Sequence, residues 1–187
     1  MQICLKTLIQ VLMKSKTPES KKIDIAKNFN ISSNVLNILK SLLKIELGKQ
    51  YIETISDIIK LIGLLARITF QKNLGIEMVY IRSFIPLFPL ILKSIYQSKD
   101  ATYVNNFLRT IGIFANNASA NHIRSFSFYK DIVEIKLIPE SIEILKHFED
   151  NLNVLKLYVQ VLSALIHPVF GDIECFPWKK KNSSGIT

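Results

Sequence analysis

Three pairs of polar residues, Lys60 with Arg67, Arg109 with Asn116 and Gln160 with His167, are each spaced seven apart inside an apolar stretch. Seven residues are two helical turns, so the members of a pair share one helix face. Ammonium, guanidinium, carboxamide and imidazole groups at this spacing donate hydrogen bonds, which suits carboxylates and the carbonyls of an extended polypeptide. The chain supplies no reaction chemistry alongside them. His122, His147 and His167 are too far apart to read as a ligand set, and no Cys or carboxylate pair has zinc spacing. No serine lies in a nucleophile-elbow context, and Asn116-Asn117 reads as a helix end rather than a catalytic amide. The expectation is recognition without catalysis, metal or cofactor. The competing reading is that these polar faces simply meet water.

The elements that position those pairs are written in a repeat. Ile31-Ser-Ser-Asn-Val-Leu-Asn-Ile-Leu-Lys-Ser-Leu42, Phe84-Ile-Pro-Leu-Phe-Pro-Leu-Ile-Leu-Lys-Ser-Ile95 and Leu137-Ile-Pro-Glu-Ser-Ile-Glu-Ile-Leu-Lys-His-Phe148 recur every 53 residues without an insertion. A fixed period of this length means stacked helical units, because one unit cannot bury its apolar face alone. Pro86 and Pro139 mark a first helical turn, where a missing N–H costs nothing, and Ser32 or Ser33 does the same work as an N-cap. One buried stripe per helix is expected, through Leu36, Leu39 and Leu43, then Pro89, Leu92 and Tyr96, then Ile142, Leu145 and Glu149.

A second, longer helix follows each start: Ile59-Lys-Leu-Ile-Gly-Leu-Leu-Ala66, Leu108-Arg-Thr-Ile-Gly-Ile-Phe-Ala115 and Val159-Gln-Val-Leu-Ser-Ala-Leu-Ile166. Each holds a small residue at its centre, Gly63, Gly112 or Ser163. Glycine inside a helix costs about 1 kcal/mol relative to alanine, so its recurrence implies close approach of two helix backbones.

Composition narrows the class. Of 187 residues 49% are hydrophobic, with only six Gly and six Pro, enough for a sizeable helical core. The net charge of +9 comes from 24 basic residues. Only four are arginines (Arg67, Arg82, Arg109, Arg124), and the lysines are dispersed, which argues against nucleic acid or an acidic membrane as the partner. Polyanion binding through that lysine surplus remains an alternative. Cys4 and Cys175 cannot make a disulfide framework, in keeping with a reducing, cytoplasmic location. The apolar start lacks a basic leader and a cleavage site, and no stretch is long and unbroken enough to span a bilayer. Phe176-Pro-Trp-Lys-Lys-Lys181 couples an apolar plug to a basic run; covering the last helix pair is its expected role, ahead of a lipid contact.

Residues 31 to 168 resemble armadillo repeats, with HEAT repeats close behind. Phe84-Ile-Pro-Leu-Phe-Pro-Leu-Ile-Leu-Lys-Ser94 is similar to the opening of an armadillo second helix, and Leu108-Arg-Thr-Ile-Gly-Ile-Phe-Ala-Asn-Asn-Ala118 to a third helix. Two departures are plain: the period exceeds the roughly 40–47 residues usual for such repeats, and the glycine before Ile-Pro is Ser83 in one copy and Lys136 in the next. The resemblance implies that the second of each helix pair lines a concave groove, in which the family's asparagine holds an extended peptide. Only Asn116 matches that asparagine, so the clamping role carries over to it alone. The tail from His167 to Lys180 is similar to segments in the helical C-terminal regions of Fused-type kinases, which would make the chain a detached regulatory region; it has no Gly-rich loop, His-Arg-Asp or Asp-Phe-Gly.

The expectation is an all-α protein, an armadillo/HEAT-like α-solenoid of about three repeats over residues 17–168 with starts near 31, 84 and 137. An orphan helix at 1–16 precedes it and a poorly structured basic tail at 169–187 follows. Shifting the frame by one period lays Met1–Lys16 over Thr54–Thr69 and puts the next start near position 190, so a slice of a longer solenoid, dependence on a partner at one end, or a truncated product is expected. Lys60, Arg67, Arg109, Asn116, Gln160 and His167 form the candidate ladder for an extended acidic protein segment.

Overall fold

The computed structural model describes residues 2–28, 34–44, 49–72, 83–120, 142–143 and 145–166. The described residues are helical throughout apart from turns. The helices are α1 (Gln2–Met13), α2 (Glu19–Asn28), α3 (Asn34–Lys44), α4 (Lys49–Lys72), α5 (Phe88–Ser98), α6 (Ala101–Ala120) and α7 (Leu152–Ile166), with 3₁₀ turns at Ile85–Leu87 and Lys146–Phe148. Ser32, Ser33, Pro139 and the tail at 169–187 lie outside the described residues, and with them the repeat starts at 31 and 137.

Helix α4 is the centre. Ile55, Ile58, Ile59, Leu61, Ile62, Leu65 and Ala66 are all buried, so the helix is apolar on nearly every side, the pattern of an element enclosed by others. It packs against α1, α2, α3 and, most extensively, α6; α7 packs in turn on α6. The order α1, α4, α6, α7 is therefore a row of neighbours, and the stretch expected to be an orphan helix is packed onto α4.

A second row holds α3 and α5. Leu36, Leu39 and Leu43 are buried as their spacing implies. In α5 the buried face is Phe88, Ile91, Leu92 and Ile95, while Pro89 and Tyr96 are exposed. The stripe expected through Pro89, Leu92 and Tyr96 is thus displaced by about one residue. The cause is the Ile-Pro start: Pro86 sits in the 3₁₀ turn that leads into α5, and Pro89, in the first turn of the helix, points its ring to solvent. Ile142 and Glu149 are exposed as well, so the third copy keeps only the half-buried Leu145 of its stripe. Tyr96 instead packs edge-on against His147 at 4.7 Å.

Four phenylalanines tie the rows together. Phe84 meets Phe88 at 5.2 Å and Phe114 at 5.7 Å, and Phe88 meets Phe107 at 5.2 Å, all in edge-to-face geometry and all buried. Such pairs add to the stabilisation from area burial alone. The link from α5 to α6 is tight: Lys99 takes a left-handed conformation (φ 52°) and donates its N–H to Ile95 O at 2.9 Å, and Asp100 Oδ1 caps α6 by accepting from Tyr103 N at 2.8 Å.

The small residues mark where helices touch. A methyl group placed on Gly63 would lie 2.5 Å from Thr110 Oγ1, and one on Gly112 would lie 3.4 Å from Val161 Cγ2. Thr110 cannot simply swing away, since its single hydroxyl proton is shared between Ile59 O across the helix pair (3.1 Å) and Asn106 O (2.9 Å). Asn106 Nδ2 also donates across the pair to Ser56 Oγ at 2.9 Å.

Two opposite effects follow for the same substitution. Gly63→Ala should destabilise the protein by about 1–3 kcal/mol, because the clash outweighs the helix-propensity gain. Gly112→Ala meets only an ordinary contact and should be neutral or stabilise by up to about 1 kcal/mol. Urea denaturation of both variants measures the signs. In the same assay Phe88→Ala should cost about 3–5 kcal/mol.

Candidate binding groove

Along one side of the α4, α6 and α7 row runs a trough of about 980 Å³, partly open to solvent. Its floor includes Gly63, Gly112, Thr110 and Val161, the residues of the helix contacts. The absence of a side chain at Gly63 lets α4 and α6 approach, because a methyl group there would meet Thr110.

Lys60, Arg67, Arg109 and Gln160 all line this trough. The structure therefore brings together four of the six ladder residues from three separate helices. Arg67 and Arg109 are exposed, and Lys60 and Gln160 half-buried. Asn116 belongs to α6, but its side chain lies outside the described residues, and so does His167 altogether.

A fourth wall is not visible in the sequence. The turn joining α1 to α2 lines the trough with Lys16 and Thr17, and the start of α2 adds Lys22. Its own hydrogen bonds shape it: Thr17 N donates to Lys14 O at 3.2 Å, and Pro18 opens α2 with its carbonyl accepting from Lys22 N at 3.3 Å. Nothing in the local sequence of this turn signals that it meets α4 and α6. Asn105, Asn106 and Thr110 escape the sequence pattern too, although Asn106 and Thr110 are four apart in an apolar helix, a spacing that hints at a polar seam.

The described lining carries five cationic side chains, Lys16, Lys22, Lys60, Arg67 and Arg109, against one carboxylate, Glu19. A concave surface of one sign concentrates field and attracts the opposite charge. Asn105, half-buried at the rim of the floor, has a buried carbonyl oxygen to which none of the described residues donates.

Beside the trough, Asp57 faces Lys6, Glu53 and Lys60. Burial raises its pKa, with Lys6 and Lys60 pulling the other way. Glu53 is lowered by the hydrogen bond from Lys6 at 2.6 Å, with Gln2 adding to it, and the same bond raises Lys6.

Among the described residues no group of three or more His, Cys, Asp or Glu is placed to hold a metal ion. No described helix is long and apolar enough to cross a membrane. No protein-family model, characterised protein or solved structure matches this chain.

The two carboxylates next to the trough respond to pH with opposite signs. The raised pKa of Asp57 means the folded state binds its proton more readily, so its charge costs stability above the ordinary carboxylate range, and that cost fades as pH falls through the raised value. The lowered pKa of Glu53 gives stability above the ordinary range that is lost as pH falls. Asp57→Asn removes only the first effect. Its denaturation midpoint should exceed that of the unsubstituted protein at neutral pH and converge with it in mild acid.

Proposed function

We propose that this chain is a non-catalytic protein-interaction module whose trough takes an extended, acidic polypeptide segment. The row of helices is read as an armadillo- or HEAT-like solenoid of about three units, with the trough as its concave face. The observation that carries the proposal is the convergence of Lys60, Arg67, Arg109 and Gln160, from three helices, on one open cavity with a cationic lining.

One feature favours a polypeptide over a polyanion as occupant. Much of the lining is apolar, with Leu64, Ile68, Leu108 and Ile113 between the charges, a mixture suited to side chains of a peptide rather than to phosphates spaced along a backbone.

The role assigned to each group is simple. Arg67 and Arg109, exposed and forked, pair with carboxylates, and Lys60, Lys16 and Lys22 add charge that speeds encounter. Gln160, with Asn116 by its likeness to the armadillo asparagine, holds backbone carbonyls. The occupant gains most from being already extended, since little ordering entropy is then lost.

The test is fluorescence anisotropy with a labelled extended peptide rich in Asp and Glu, its Asn/Gln counterpart, and single-stranded RNA of similar length. The acidic peptide should bind, and the triple variant Lys60→Ala, Arg67→Ala, Arg109→Ala should weaken it by roughly tenfold to a hundredfold, about 0.5–1 kcal/mol per cation. Equal affinity of the triple variant would sink the proposal. Preference for RNA, with a steep fall as salt rises, would replace it by polyanion binding.

A further inference from the structure

Among the described residues the helix row ends at α7. The positions Ile55, Ile59, Ile62 and Gly63 of α4 are equivalent to Val104, Leu108, Ile111 and Gly112 of α6, and to Leu155, Val159, Leu162 and Ser163 of α7, each set matching the last in residue character. In α4 and α6 the three apolar members are buried, with Ile59 fully so and Leu108 only 3% exposed. In α7 the pattern is kept but is only partly covered by the described residues: Val159 is 60% exposed and, one helical turn before Leu155, Leu152 is 79% exposed. Leu155, Leu162 and Ser163 are half-buried.

What covers this pattern in the first two helices is plain. The seam on α4 is closed by α6, with the β-branched Thr110 set against Gly63; the seam on α6 is closed by α7, with the β-branched Val161 set against Gly112. Each time the occupant is an α-helix, and each time a β-branched side chain faces the small residue. The outer face of α7 continues that series by position and by chemistry.

We propose that the outer face of α7 is a docking surface for an amphipathic α-helix of a partner polypeptide, seated as α7 is seated on α6. The occupant presents a valine, isoleucine or threonine to Ser163 and apolar residues three and four positions to either side, which close over Val159 and Leu152. Isolated apolar side chains on a surface need no explanation, but an ordered stripe at helical spacing, matched at Leu155, Val159 and Leu162 to buried positions of α4 and α6, does. The surface lies at the end of the row and is distinct from the cationic trough.

The chain provides its own probe. A peptide of residues Asn151–Ile166 carries the inner face, Val154, Tyr158, Val161 and Leu165, that already fits the equivalent seam on α6. Labelled with fluorescein and titrated with the full chain, it should bind saturably. The protein variant Leu152→Lys, Val159→Lys, altered only at exposed positions and so expected to keep its circular dichroism spectrum, should bind at least about tenfold more weakly, and so should a peptide carrying Val161→Lys with the unaltered protein. Equal binding to the Leu152→Lys, Val159→Lys protein would overturn the proposal, since the peptide would then be exchanging with α7 on α6. Absence of saturable binding would overturn it too. A concentration-dependent dimer of the full chain that Val159→Lys abolishes would assign the face to a second copy instead, and binding gained only on removal of residues 167–187 would assign it to this chain's own end.

Discussion

The close contact of α4 with α6 is the constraint on which the remaining features depend. At Gly63 there is no room for a methyl group, because Thr110 fills the space and is held there by a hydrogen bond to Ile59 O. That one contact fixes the separation and register of the two longest helices. It also decides where Lys60 and Arg67 stand relative to Arg109, and so whether the cations on separate helices share a trough or face apart.

Polar and apolar forces divide the work. The energy of the helix row comes from burial around α4 and the four phenylalanines linking α5 and the turn before it to α6, which is non-directional and would tolerate sliding. The hydrogen bonds from Asn106 to Ser56 and from Thr110 to Ile59 are directional and few. Such bonds contribute little net stability but penalise every register that leaves them unmade. Burial holds the helices together, and the seam selects the alignment in which the trough exists.

Much of this arrangement is legible in the residues themselves. The recurring small residues at Gly63 and Gly112 both lie at helix contacts, but only at Gly63 does a neighbouring side chain need the space of the missing methyl group. The shared face of Lys60 and Arg67, both of which line the trough, is legible from their spacing, whereas Asn116, two turns on from Arg109, has its side chain outside the described residues. The face of α5 is not: the pattern through Pro89 and Tyr96 assumes that the helix begins at Ile-Pro, whereas a 3₁₀ turn intervenes and shifts the buried face to Phe88, Ile91, Leu92 and Ile95. The α1–α2 wall is invisible for a different reason, since contacts between residues some 50 apart in sequence leave no local trace in a turn.

The most direct test of the central constraint is a double-mutant cycle on Gly63→Ala and Thr110→Ala, with unfolding free energies measured in urea. If the two residues compete for one space, Gly63→Ala will destabilise the protein with Thr110 in place and become neutral or stabilising once Thr110 is alanine, a coupling of about 1–3 kcal/mol. Additive effects, with Gly63→Ala costing the same in both backgrounds, would contradict the seam and with it the register of helices that builds the trough.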